Sequence, residues 1–339
     1  MRTLIFLVTA IVVCVYISGC SKKDTASNDN TTTTQPASKV KVETYAGKDI
    51  GNSISGPGSL CIDQNGFLYI AETDHNVVIK IDPLLKTVGK FAGLFNTPGC
   101  MDDPFGSGAP SLTFPENLWI GSDQQIYISD YGCGKEKIAN TTGELASLGY
   151  SNPLNLGPSF NAACKDFMGN IFILDTYDGL YEVRYQDQVL TSLISGDKLG
   201  TASSIATDPS EKNIYIAAKH QILEYSNGSL HSIAGESLGN KDGQGTSASF
   251  GGAMAICVGS NGNIYVADIN NNLIREVTPS GVVTTIAGDG NSGYVDGSGD
   301  KAEFAIPRGI AFTTSGDNNI LFVSDYGNNV IRKLTFPKK

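Results

Sequence analysis

The chain has 339 residues with 24 bases against 34 acids, a formal net charge of −10, 39 glycines and 17% charged residues. An acidic surface repels polyanions, which argues against nucleic acid and against anionic lipid as partners. The glycine count, with frequent Asn and Asp, suits an all-β chain with many turns.

Met1–Gly19 reads as an export signal. Arg2 is the positive region, Leu4–Tyr16 is the apolar stretch, and Ile17-Ser18-Gly19 precedes Cys20. The apolar run falls short of the ~20 residues a spanning helix needs. Ile17-Ser18-Gly19-Cys20 resembles the bacterial lipoprotein signal box, which implies lipidation of Cys20 and a membrane anchor there. The rival readings are a secreted protein and an uncleaved anchor. Residues 20–38 hold Lys, Asp, Asn, a Thr31–Thr34 tract and nothing apolar larger than Ala37, so they cannot bury a core and read as a disordered tether. Ser21 after the cysteine suits outer-membrane sorting, and Ser21-Lys22-Lys23-Asp24 faintly resembles the surface-export signals of Bacteroidetes lipoproteins. Loss of Met1–Gly19 leaves 23 bases against 34 acids, a net charge of −11.

From residue 39 to 339 the chain is a repeat with a period of about 40 to 55 residues. One recurring unit is an outer strand ending in an apolar residue, Ala or Ser, and Gly: Tyr45-Ala46-Gly47, Phe91-Ala92-Gly93, Ile194-Ser195-Gly196, Ile233-Ala234-Gly235 and Ile286-Ala287-Gly288. Another is an apolar strand that stops on a carboxylate, at Glu72, Asp130, Asp175, Asp268 and Asp325. A third follows a polar turn, as in Leu273-Ile274-Arg275 and Val330-Ile331-Arg332. Each repeat reads as four short strands. The last lacks its fourth, and Val40–Gly47 matches the missing piece. The expected architecture is therefore an all-β, six-bladed β-propeller of four-stranded antiparallel blades, with the N-terminal strand completing the last blade. Closing the ring removes the open sheet edge. The repeats are counted from Cys61, Trp119, Cys164, Ala206, Cys257 and Ala311, which hold one equivalent position; Cys or Ala there reads as a small core slot. The fourth repeat is the most degenerate, with Ala217-Ala218-Lys219-His220 in place of the acidic stop.

Phe304–Phe312 followed by Ile320–Leu334, and Gly262–Asp268 with Leu273-Ile274-Arg275, resemble NHL repeats. So do the linkers Asp242-Gly243-Gln244-Gly245 and Asp296-Gly297-Ser298-Gly299. The resemblance covers residues 40–336 and is strong in blades one, five and six; blades two, three and four depart from it. It implies a six-bladed propeller and very varied functions.

Ligands of propellers usually meet the mouth of the central channel, where strand one begins. With Arg308 as reference, the equivalent residues are Gly58, Glu116, Asn161, Ser203 and Met254. One acid, one base, two neutral polar side chains and a thioether suit recognition of a polar molecule, glycan or peptide. They suit a catalytic metal badly, since calcium takes six to eight oxygens and zinc three or four His, Cys or carboxylate ligands. No cofactor or metal is expected. His75 and His220 fall in corresponding turns of facing blades, as solvated turn residues or as groups reaching the mouth, and His231 lies on an outer strand. No Ser has a recognisable His and acid at triad spacing. The five strand-end carboxylates read as turn caps, with a metal or substrate role as the rival. The two Asp-Gly-x-Gly loops resemble calcium loops but lack the bidentate Glu. Tyr131, Tyr177, Tyr294 and Tyr326 fall in mouth-side loops, placed to pack over neighbouring blades or to stack on sugars or peptide side chains. Cys100 and Cys133 lie in two loops of one repeat, and in an oxidising compartment a disulfide between them would stabilise the fold by roughly 3–4 kcal/mol. The function expected is that of an envelope-anchored binding or scaffold propeller for an unknown protein or carbohydrate. The alternative is a metal-dependent envelope hydrolase or lyase working in the channel, and a third reading is a structural partner in an outer-membrane complex.

Overall fold

The computed structural model describes residues 36–47, 54–102, 110–121, 123–148, 160–175 and 179–338. The signal-like segment, Cys20, the tether through residue 35 and Tyr177 lie outside the described residues. Ala37–Lys39 is a 3-10 turn, and the Val40 carbonyl accepts a hydrogen bond from Gly299 N.

Among the described residues six antiparallel sheets form the blades; within each, consecutive strands are neighbours, except that blade six takes its outer strand from the N-terminal end of the propeller. Blade one is Pro57–Ile62, Leu68–Glu72, Val77–Ile81 and Val88–Gly93. Blade two is Pro115–Ile120, Ile126–Asp130, Lys135–Ala139 and Leu145–Ser147. Blade three is Phe160–Lys165, Ile171–Asp175, Gly179–Val183 and Leu190–Ser195. Blade four is Ala202–Thr207, Ile214–Ala218, Gln221–Ser226 and Ser229–Ala234. Blade five is Ala253–Val258, Ile264–Asp268, Leu273–Val277 and Val282–Ala287. Blade six is Pro307–Ser315, Asn318–Asp325, Val330–Pro337 and, from the other end of the chain, Lys41–Gly47. Lys41 pairs with Thr335 and Gly47 with Val330, so the ring is closed by hydrogen bonds between distant segments.

Local chemistry sets the strand ends. Between strands one and two, an Asp or Asn side chain accepts backbone N–H groups of the turn: Asp63, Asp123, Asp166, Asp208 and Asn261. This is the usual work of such residues in turns. The core is divided among the seams. Among the described residues the buried apolar side chains form six clusters, and each draws on two neighbouring blades. The seam that joins the two ends of the chain is of the same kind, packing Ala46 and Ile331 of blade six against Ile54, Leu60 and Ile70 of blade one. The Asp-Gly-x-Gly linkers add two-residue strands, Gly243–Gln244 and Gly297–Ser298, along the outer strands of blades five and six. This covers part of two exposed edges.

Candidate functional site

In all six blades strand one carries a register shift near its start. It falls between Pro57 and Leu60, Pro115 and Asn117, Phe160 and Ala162, Ala202 and Ser204, Ala253 and Ala255, and Pro307 and Gly309. The positions at which the register shifts are Gly58 with Ser59, Glu116, Asn161, Ser203, Met254 and Arg308. These are the positions that repeat alignment singles out. A bulge bends the strand and re-aims one side chain, which is why bulges cluster at functional rims.

The innermost strands enclose an axial cavity of about 320 Å³. Glu116, Ser203 and Arg308 line it at the end where strand one begins, here called the leading face. Asn161 and Met254 hold the equivalent backbone positions, their side chains lie outside the described residues, and the described cavity wall in their blades includes Cys164–Lys165 and Ala255–Val258. Cys61, Cys164 and Cys257 line the cavity together with Trp119, Ala206 and Ala311, and Cys61, Cys164 and Ala311 also belong to the buried seam clusters, so the slot read from sequence as core is core that borders the channel. Burial pushes all three thiols up, which makes them poor nucleophiles.

Arg308 and Glu116 approach to 3.8 Å from blades six and two, across blade one. Burial raises the Glu116 carboxyl above its usual range, and the Arg308 charge opposes that rise. The Arg308 guanidinium also stands 5.3 Å over the Tyr326 ring, and the Tyr326 hydroxyl donates to Asp74. The opposite end of the cavity holds Lys165 and Glu211, with Lys165 3.2 Å from Asp123. Burial raises Glu211, Lys165 lowers it, and the nearby acids Asp166, Asp123 and Asp208 raise it further. Trp119 stacks on Tyr127 with centroids 3.8 Å apart, and its indole Nε1 is buried without a hydrogen-bond partner. From the sequence Trp119 serves only to count the second repeat, at a position that the other five repeats fill with Cys or Ala. A side chain of that size in a Cys/Ala slot is the available signal that the slot borders open space.

The other carboxylates belong to the scaffold. Glu72, Asp130, Asp268 and Asp325 each accept the backbone N–H of a residue in the segment entering their own blade, at Ser55, Thr113, Gly251 and Ala305. Arg332, fully buried, then donates to Asp325 Oδ2 and Asp296 Oδ1, and Asp296 in turn accepts Thr44 N. Arg275 joins Asp268 to Asp242 in the same way, and Asp242 accepts Thr285 N. Lys137 stands between Asp130 and Asp102, at 3.7 and 3.1 Å. An arginine thus occupies the place that a calcium reading of the Asp-Gly-x-Gly loops would give to an ion. Blade two, which departs from the NHL pattern in sequence, builds the same clamp with lysine. Cys100 and Cys133 are joined as a disulfide in that blade, with Cα atoms 5.6 Å apart. His75 lies 3.5 Å from Glu72, and neither His75 nor His220 lines the cavity. His231 sits on the outer strand Ser229–Ala234. Among the described residues, no three His, Cys, Asp or Glu side chains are grouped as a metal site. Among the same residues, no helix is long and apolar enough to cross a membrane.

Bulged inner strands, clamped blades and a closing strand define a six-bladed β-propeller. The chain is 38% identical over 104 residues, 29% of its length, to NHL repeat-containing protein 2 of Gallus gallus, and spans 14% of that protein. It is an NHL-repeat homologue over that stretch. No protein-family model matches the chain. Among solved structures, an auxiliary nutrient binding protein from Bacteroides thetaiotaomicron superposes with a TM-score of 0.69 at 20% identity, covering 88% of this chain and 77% of that one. A gluconolactonase from Xanthomonas campestris superposes with a TM-score of 0.61 at 12% identity, covering 89% and 92%. At such identities the likeness is one of fold.

Proposed function

We propose that the protein is a binding propeller of the bacterial envelope that takes a polar ligand at the leading face of its channel. The observation that carries this is the bulge ring. Two blades use it to aim Glu116 and Arg308 toward each other at the rim of a cavity large enough for a small molecule or a protruding side chain. The pair is too long for a direct hydrogen bond and half-shielded from water, so its donors and acceptors suit an incoming polar group. The Bacteroides neighbour is an auxiliary nutrient binding protein, which agrees with this reading. Attachment through a lipidated Cys20 is part of the proposal and rests on the signal-like residues before it. Palmitate labelling that survives Cys20→Ala would remove that part.

The test of the site is the double variant E116Q/R308Q. Ligand affinity should fall while stability stays within about 1 kcal/mol, as for surface changes. Unchanged affinity for a ligand of the wild-type protein would overturn the site. The rival, a metal-dependent hydrolase or lyase, draws on the fold shared with a gluconolactonase. A stoichiometric metal in the purified protein would favour it.

A further inference from the structure

Three blades begin with the same three-residue step: Gly56-Pro57-Gly58, Phe114-Pro115-Glu116 and Ile306-Pro307-Arg308. The first residue of each is left-handed, with φ of 58°, 53° and 57°. Each has its N–H held by an Asn side chain of the preceding blade, Asn329, Asn76 and Asn272 in turn. Glycine meets that backbone demand without strain. A Phe and a β-branched Ile do not, and such outliers concentrate at ligand clamps. The strain is not offset by burial in the core. Phe114 and Ile306 are 47% and 43% exposed and belong to none of the six buried clusters.

We propose that Phe114 and Ile306 are the apolar walls of a notch over blade one that takes a neutral saccharide, a reading that rests on the leading face being the binding face. The notch lies between blades six and two because blade one has glycine at both equivalent positions. Asp74 Oδ2 and Thr73 Oγ1 stand 3.0 and 2.9 Å from where a Cβ would sit on Gly56 and Gly58, so these side chains floor the notch and leave no room for a further one there. On either side the wall residue is followed two positions later by a charged one, and those two, Glu116 and Arg308, meet across the notch. Tyr131, partly exposed, stands next to Phe114 through its N–H to the Phe114 carbonyl, and Tyr326 stands next to Ile306 in the same way.

The ligand class follows from this chemistry. A pyranose has an apolar C–H face that suits a Phe or Ile wall and hydroxyls that both donate and accept. A carboxylate beside a guanidinium offers acceptors and donors side by side, matching neighbouring hydroxyls. The pair is neutral as a unit, so it gives no net attraction to an anion or a cation, and a charged ligand would have to separate it.

The experiment is calorimetric titration of the full chain with neutral hexasaccharides of glucose, mannose, xylose and galactose, and with an acidic galacturonate hexasaccharide. At least one neutral oligomer should bind and the acidic one should not. Phe114→Asn and Ile306→Asn should each weaken that binding by roughly tenfold, the scale of a lost contact at the centre of an interface. Asn tolerates the left-handed backbone, so Tm should hold or rise. Absence of binding by every neutral oligomer, preference for the acidic one, or wild-type affinity in both Asn variants overturns the proposal. So does a Tm loss above about 5 °C, which would give the side chains a structural role. If E116Q/R308Q loses binding while the Asn variants keep it, the site stands and the notch falls.

Discussion

Replacing Arg332 by Met should be among the most damaging single changes in the propeller. Its guanidinium is fully buried and donates four hydrogen bonds, to Asp325 Oδ2, Asp296 Oδ1, Glu303 O and Val295 O. Methionine fills much of the volume but leaves two carboxylates and two carbonyls without their donor. Breaking a buried pair from one side costs about 3–5 kcal/mol. At about 2–4 °C per kcal/mol for a domain of this size, Tm should fall by roughly 10 °C. The loss also has a location. Asp296 accepts Thr44 N, so Arg332 indirectly holds the N-terminal strand against blade six. Hydrogen exchange in Lys41–Gly47 should therefore accelerate before exchange elsewhere. Arg275→Met breaks the equivalent clamp of blade five and should cost a similar amount, but exchange should speed at Val282–Ala287, where Asp242 accepts Thr285 N. Pairing Arg332→Met with Asp325→Asn should recover part of the loss, because one of the stranded charges is then gone. A loss under about 1 kcal/mol, or exchange that rises equally in both strands, would refute the clamp.

Three further outcomes are expected. Burial, opposed by Ser129 and reinforced by Asp130, pushes the Glu136 carboxyl from 4.5 up to about 7. A raised carboxyl contributes stability that is complete below its unfolded value and is lost as pH climbs through the folded one. Glu136→Gln should therefore gain on the wild type between pH 4.5 and 8, by up to about 3 kcal/mol; a Tm gap that stays constant over that range would exclude the effect. Reducing the Cys100–Cys133 bond, or replacing both residues by Ser, should lower stability by roughly 3–4 kcal/mol in urea titrations, and a midpoint insensitive to reductant would contradict it. Deleting residues 36–47 uncovers the Val330–Pro337 edge of blade six and should yield concentration-dependent association by light scattering; a stable monomer would show that closure is dispensable.

Much of the architecture is legible in the sequence. Strand-stopping carboxylates, the apolar-Ala/Ser-Gly endings and the match of Val40–Gly47 to a missing fourth strand are local patterns repeated by a periodic fold, so each copy strengthens the others. The ring of Gly58, Glu116, Asn161, Ser203, Met254 and Arg308 could be aligned for the same reason. What alignment could not say is which partner each group would meet. The Asp of Asp-Gly-x-Gly and the Arg of strand three are 36 residues apart in blade six, and only folding makes them a clamp instead of a metal loop. Blade two hid its clamp because Lys137 does the work of an arginine at that position.

Period and composition determined the number of blades, their order and the way the ring shuts, since hydrogen-bond pairing and alternation of side chains are properties of short stretches. The tertiary structure alone decided which apolar positions became seams and which became the channel wall, and it alone exposed the left-handed backbone of Phe114 and Ile306. Burial and curvature depend on neighbours brought in from other blades, and no single stretch of sequence holds that information.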